Sequence, residues 1–189
     1  MAFDRDAQLG ALWRDGLALA DAAERAGLDA AVPCCPGWTV ADLLWHTGEV
    51  HEFWRQVVVN RWEDPSSYVQ PDRPAGEALV AWYRAGVQRA VEDLGAADDA
   101  ERVWTWAPRG GTAGWVLRRM AHETAVHRAD VEPSPVEPGL AVDGVDEFFQ
   151  FFTGSPAEGA APVGGTVHLH AIDADGEWLV DADMQVRRE

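Results

Sequence analysis

Cysteine is scarce in this chain. Its 189 residues include two, Cys34 and Cys35, and they are adjacent. Neighbouring cysteines make a strained and uncommon disulfide, so a disulfide-stapled fold is excluded and both thiols are expected to be reduced. Packing at a loop-to-helix junction is the first reading of the pair, with a metal or redox role as its competitor. Basic residues are scarce too: 15 stand against 32 acidic ones, a formal net charge of −17. Such a chain repels nucleic acid and anionic membrane surfaces, so neither is expected as a partner. An anionic substrate would have to be drawn by a local cluster of arginines. Long apolar runs are missing as well. No stretch of about 18 apolar residues occurs, and the opening Met-Ala-Phe-Asp-Arg-Asp has no apolar signal core, so a cytoplasmic protein is expected.

What is present points to helices. The apolar share of 47% supports a real core, and ten tryptophans are an unusually high count. Leu9, Leu12, Trp13, Leu17, Leu19, Ala20 and Ala23 fall at helical spacing within 4–28, ended by Gly27. The loop Val-Pro-Cys-Cys-Pro-Gly-Trp (32–38) follows. Thr39 with Asp42 three residues later is a capping-box-like start, predicting a helix from about Val40 to Asn60. A loop at 63–74 leads to a third helix, about 75–94. Another at 104–111, rich in Gly, Pro and Trp, leads to Thr112 as the cap of a fourth, about 113–131. Four such helices suggest a four-helix bundle, an architecture that builds metal sites from facing helices.

The tail changes character. A short helix is expected at 143–152. Gly165-Thr-Val-His-Leu-His-Ala-Ile-Asp alternates with period two, Asp175-Gly176 offers a tight turn, and Glu177-Trp-Leu-Val-Asp continues extended, which reads as a β-hairpin. Two strands alone are marginal, so the hairpin must pack on the bundle, find a partner or open a longer domain. The expected organisation is a mainly α bundle over 1–135 and a partial C-terminal α/β domain over 136–189.

The densest chemistry lies in Arg119-Met-Ala-His-Glu-Thr-Ala-Val-His-Arg-Ala-Asp130. Glu123 and His127 are four apart and, at about 100° per residue, share one helical face. Asp130, seven beyond Glu123, returns to that stripe, and Arg119 lies one turn before it. The set looks like two metal ligands with a polar outer shell. His122-Glu-Thr-Ala-Val-His127 is not the H-E-x-x-H of zinc proteases: its two histidines stand five apart, roughly 140° around the helix, and cannot share an ion.

Two ligands leave a zinc-like ion short. The best third candidate is His46, in the second helix, with Asp42 or Glu49 one turn away to hold its other ring nitrogen; a solvent-facing or core histidine is the competing reading. Arg119 could hold a substrate carboxylate or form a salt bridge to Glu or Asp. Asp130 could serve as an outer-shell or acid/base group, or pair with Arg128. His51 faces a different side from His46 and reads as a surface residue. His168 and His170 share one strand face, but with no third ligand nearby in sequence they read as structural. Trp38, Trp45, Trp54 and Trp115 read as core and pocket wall.

Two separated motifs carry a family resemblance. Pro36-Gly-Trp-Thr-Val40, followed by Asp42-Leu43 and His46, resembles the first signature of the mycothiol-dependent maleylpyruvate isomerase family. Arg118-Arg-Met-Ala-His-Glu-Thr-Ala-Val-His-Arg-Ala-Asp130 resembles the second, and Thr166–Asp173 with Gly176-Glu-Trp178 resembles the start of that family's small C-terminal α/β domain. The resemblance implies a DinB-like four-helix bundle with a short C-terminal extension. By position it implies His46, Glu123 and His127 as zinc ligands, with water or a thiol at the open place, and Asp130 at an acidic position linked to activity. In many relatives within the superfamily a second histidine stands where this chain has Glu123. Family members usually continue well past Gly-Glu-Trp, where a C-terminal arginine helps bind substrate or thiol; this chain stops at Arg187-Arg188-Glu189, so its C-terminal domain looks incomplete.

The implied chemistry is thiol activation. An ion held by two His and one Glu stays positively charged and favours the thiolate of a coordinated thiol, here mycothiol. Addition to a cis double bond, rotation and elimination would isomerise a substrate such as maleylpyruvate; retention of the thiol would be S-transfer. Zinc is the expected metal, although the same donors accept nickel, cobalt or iron. The expected partners are a small electrophile and a low-molecular-weight thiol, in a monomer or homodimer. The competing class is a non-catalytic metal-binding bundle that binds a small molecule or a protein.

Overall fold

A computed structural model describes residues 3–107, 111–151 and 164–189. The chain is mainly α, with a small β extension at its C-terminal end. Asp4 opens helix α1 (Arg5–Ala26) by accepting a hydrogen bond from the Ala7 backbone N–H, and Gly27 closes it at φ 86°, a conformation that only glycine adopts without strain. Helix α2 (Val40–Val59) begins with the expected capping box: Thr39 Oγ1 accepts from Asp42 N, and the Asp42 carboxylate accepts from Thr39 N. Such a cap stabilises a helix by about 1 kcal/mol. Helix α3 spans Glu77–Ala96, two residues later at each end than its apolar pattern predicts. A two-residue ladder, β1 (Arg102–Val103) with β2 (Gly111–Thr112), closes the next loop, and Thr112 caps α4 (Ala113–Val131) through Trp115 N. The middle of that loop, 108–110, lies outside the described residues.

Two compact units result, one of residues 4–135, the other of 136–189 with the N-terminal end of the chain. In the first, α1 packs chiefly on α4 and α3, and α2 on α3 and α4. One apolar cluster joins Leu12, Trp54, Val57, Val58, Val116, Leu117 and Met120; another joins Leu19, Leu43, Leu44, Leu79, Tyr83 and Val87. Gly48 lets α2 approach α3 closely, because a Cβ there would lie 2.4 Å from the Trp82 ring. Three of the four tryptophans read as core and wall take such places, whereas Trp38 is exposed. Trp54 is buried and stacks on Trp104, Trp115 edges onto Trp54, and Trp45 lies against Trp82.

In the second unit, Glu137 accepts from Gly139 N and Leu140 N and starts helix α5 (Pro138–Phe151), five residues earlier than its apolar pattern suggests; residue 152, its expected end, lies outside the described residues. Strands β3 (Val167–His170) and β4 (Glu177–Val180) form the expected antiparallel hairpin, joined by a six-residue loop and not by a two-residue turn at Asp175-Gly176. The loop is closed by Ala171 N donating to Gly176 O. A third strand, β5 (Val186–Arg188), pairs with β4. Trp178 is buried and donates from Nε1 to Asp146 of α5, so the hairpin packs on its own helix.

Candidate metal centre

Helix α4 presents Arg119, Glu123, His127 and Asp130 along one stripe, as the spacing requires. Glu123 Oε1 lies 3.1 Å from His127 Nε2, and Glu123 Oε2 lies 2.5 Å from an Arg119 guanidinium nitrogen. His127 Nδ1 lies 2.9 Å from Asp130 Oδ2. Helix α2 brings His46 to the same place, its Nε2 3.6 Å from Glu123 Oε1. Among the described residues, His46, Glu123 and His127 are the one group of three potential donors whose atoms all fall within 4.8 Å of one another.

The donor set fits a divalent ion. With zinc–ligand bonds of about 2.0–2.1 Å and tetrahedral angles, two donors on one ion stand roughly 3.3–3.4 Å apart. The 3.1 and 3.6 Å separations from Glu123 Oε1 to His127 and His46 bracket that span. The outer contacts fit as well. A proton on His127 Nδ1, held by Asp130, leaves the Nε2 lone pair facing the centre. Arg119 occupies Oε2 of Glu123 and leaves Oε1 for the two imidazoles.

Electrostatics favours the charged carboxylate. Burial opposes ionisation of Glu123, but the contacts with His127, His46 and Arg119 outweigh it and hold this carboxyl well below the usual carboxylate range. Burial pushes His127 the other way from its neighbours; the Glu123 and Asp130 carboxylates prevail and raise it above the ordinary imidazole value. His46 is the most open of the three, with 37% of its side chain exposed against 15% for His127 and 20% for Glu123. On this more exposed, α2 side of the group, Trp38 sets its ring edge-on against His46 at 5.1 Å between centroids.

Some expected partners are elsewhere. Neither Asp42 nor Glu49 takes the place foreseen for it beside His46. Asp42 is spent on Thr39 and Arg73, which hold its carboxyl at about 2, and Glu49 lies beside the Tyr68 phenol. Arg119 pairs with Glu123, the salt-bridge alternative of its two readings. Arg128 does not pair with Asp130 but reaches back to Asp15 of α1, 2.9 Å away, inside the bundle. His122 is buried and takes no part in the donor group. Cys34 and Cys35 are free thiols; Cys35 packs partly against the core, where burial and the nearby Asp130 carboxylate raise its pKa.

His51 is not a surface residue. It is 1% exposed, with Nε2 2.7 Å from Thr124 Oγ1, and burial holds it down to about 4. The signal was present in the sequence: His51 falls in the stripe Leu44, Thr47, Gly48, Trp54 and Val58 that α2 turns inward. His168 and His170 are exposed, and the strand pairing sets Glu177 against both, at 3.4 and 2.7 Å. That neighbour is seven residues from His170, and sequence spacing alone did not offer it.

A helical bundle with two histidines and a glutamate converging from facing helices defines a candidate metal-binding four-helix protein. Residues 9–132 match the family described as mycothiol maleylpyruvate isomerase N-terminal domain, and the chain belongs to that family. No curated protein and no solved structure matches the chain. Among the described residues, no helix is long and apolar enough to cross a membrane.

Proposed function

We propose that this chain is a divalent-metal-dependent enzyme that uses a low-molecular-weight thiol, mycothiol, as an isomerase or S-transferase acting on a small electrophile of the maleylpyruvate kind. The observation that carries the proposal is the convergence of His46 from α2 with Glu123 and His127 from α4 at spacings suited to one ion, in a chain of this family. Zinc, or another divalent ion held by these donors, supplies positive charge that favours the ionised form of a thiol near neutral pH.

The chain's own groups prepare that chemistry. Asp130 keeps the Nδ1 proton on His127 and fixes the ring's orientation. Arg119 neutralises and orients Glu123, so that its second oxygen faces the imidazoles. Trp38 sets its ring against His46 on the more open side of the group. Two histidines and one carboxylate leave a net positive charge at a divalent centre, which suits an anionic thiolate in an otherwise acidic protein.

The test is metal content per chain, for wild type and His127→Ala purified identically, followed by assays of thiols against electrophiles that include maleylpyruvate. About one equivalent in wild type, lost in the variant, together with thiol-dependent turnover supports the proposal. A folded protein that takes up no metal after zinc reconstitution, or takes it up and never consumes thiol or isomerises substrate, refutes it.

A further inference from the structure

The two helices that carry the donor set meet mostly through apolar side chains: Trp54, Val57 and Val58 of α2 share a cluster with Val116, Leu117 and Met120 of α4. Contacts of that kind are non-directional and specify the relative height of two helices only loosely. Apart from the approach of His46 to Glu123 within the donor group, one buried polar contact crosses the same interface among the described residues. His51 and Thr124, 1% and 0% exposed, are joined by the 2.7 Å contact between Nε2 and Oγ1. Thr124 Oγ1 also donates to Met120 O at 2.7 Å, so toward His51 the hydroxyl acts as acceptor and Nε2–H as donor. Both ends of this bond are thereby directed. His51 Nδ1 is buried without a hydrogen-bond partner among the described residues, so Thr124 is the contact that fixes the ring.

The placement of this bond matters. His51 stands five residues beyond His46 on α2, and Thr124 stands between Glu123 and His127 on α4. The bond therefore joins the two donor segments themselves, one layer deeper in the bundle. Around it lie polar groups from the other helices: the Tyr83 ring of α3 stacks on His51 at 5.9 Å between centroids, and Asp15 of α1 pairs with Arg128 of α4. Buried polar contacts can specify helix register where apolar packing does not.

We infer that His51 is a positioning residue for the metal centre: by donating to Thr124 across the core it sets the height of α2 against α4, and with it the span between His46 and the Glu123–His127 pair. The inference rests on the metal-centre reading above. A slide of α2 by about one residue, roughly 1.5 Å, would take His46 out of the range that a single ion can bridge.

The experiment is a cobalt(II) titration of chelator-treated wild type, Thr124→Val, Thr124→Ser and His51→Leu at one pH, followed by ligand-field absorbance, with the melting temperature of each metal-free protein measured alongside. Thr124→Val keeps the shape and removes the acceptor. It is expected to weaken cobalt binding by about tenfold or more, as loss of an outer-shell partner does, whereas Thr124→Ser stays within about threefold of wild type. His51→Leu follows Thr124→Val; should it not fold, the threonine pair decides alone. A merely structural role would move the metal-free melting temperature and leave the cobalt affinity unchanged. Equal affinity in wild type and Thr124→Val overturns the inference and leaves the metal centre standing. No cobalt binding by wild type overturns both.

Discussion

Asp130 Oδ2 lies 2.9 Å from Nδ1 of His127, and the other ring nitrogen of that histidine lies 3.1 Å from Glu123. One imidazole is thus held between a carboxylate that keeps its proton and a carboxylate that would share its ion. Asp130→Ala is expected to weaken metal binding by about 10–100-fold while the helices remain, with Asp130→Asn recovering part of the loss. Competition against a chromophoric chelator measures this. Wild-type affinity in the alanine variant would remove Asp130 from the centre.

Metal removal should lower stability. An ion bound by donors from both α2 and α4 stabilises the folded chain by about 2.7 kcal/mol at a hundredfold excess over its dissociation constant. For a chain of this size that corresponds to a fall in melting temperature of roughly 5–10 °C on chelation. Calorimetry with and without a chelator checks it; an unchanged midpoint would mean that no ion ties the helices together.

The buried His51 predicts a pH dependence. Burial lowers its pKa from 6.5 to about 4, with Glu123 opposing and His127 and His46 assisting. The unfolded chain therefore binds the proton more readily, and this group's contribution to stability is full above the unfolded value and lost as pH falls from 6.5 toward 4. Between pH 7 and 5 the loss from this group comes to about 2 kcal/mol. Urea unfolding of metal-free wild type and His51→Leu at the two pH values isolates it. The leucine variant should lose less stability than wild type, and parallel losses would contradict the assignment.

Packing gives another test. A Cβ on Gly48 would meet the Trp82 ring at 2.4 Å, so Gly48→Ala forces α2 and α3 apart. We expect a destabilisation of about 1–3 kcal/mol, despite alanine's better helix propensity. Denaturant midpoints measure it, and a variant as stable as wild type would show that Trp82 moves aside freely.

Much of this was legible in the residues. Thr39 with Asp42 marked the start of α2, Gly27 the end of α1 and Thr112 the start of α4, because caps act through hydrogen bonds spanning three or four residues. The shared stripe of Arg119, Glu123, His127 and Asp130 followed from helical rotation alone. His51 points away from the face of His46, yet it continues the inward stripe of α2, and that stripe decides its burial. Asp42 lies one turn from His46, yet its carboxylate is committed to the cap it forms with Thr39 and to Arg73, a partner 31 residues away that local spacing does not reveal.

The sequence by itself determined the helices and the order of donors along α4, since a rise of about 1.5 Å and a turn of about 100° per residue leave little freedom within one helix. Only the tertiary structure decided that His46 comes within 3.6 Å of Glu123, that Arg128 turns to Asp15, and that Glu177 faces His168 and His170. Those contacts join elements far apart in the chain or across a loop. Their distances are set by how buried side chains pack between helices and by strand register, and neither is encoded in local spacing.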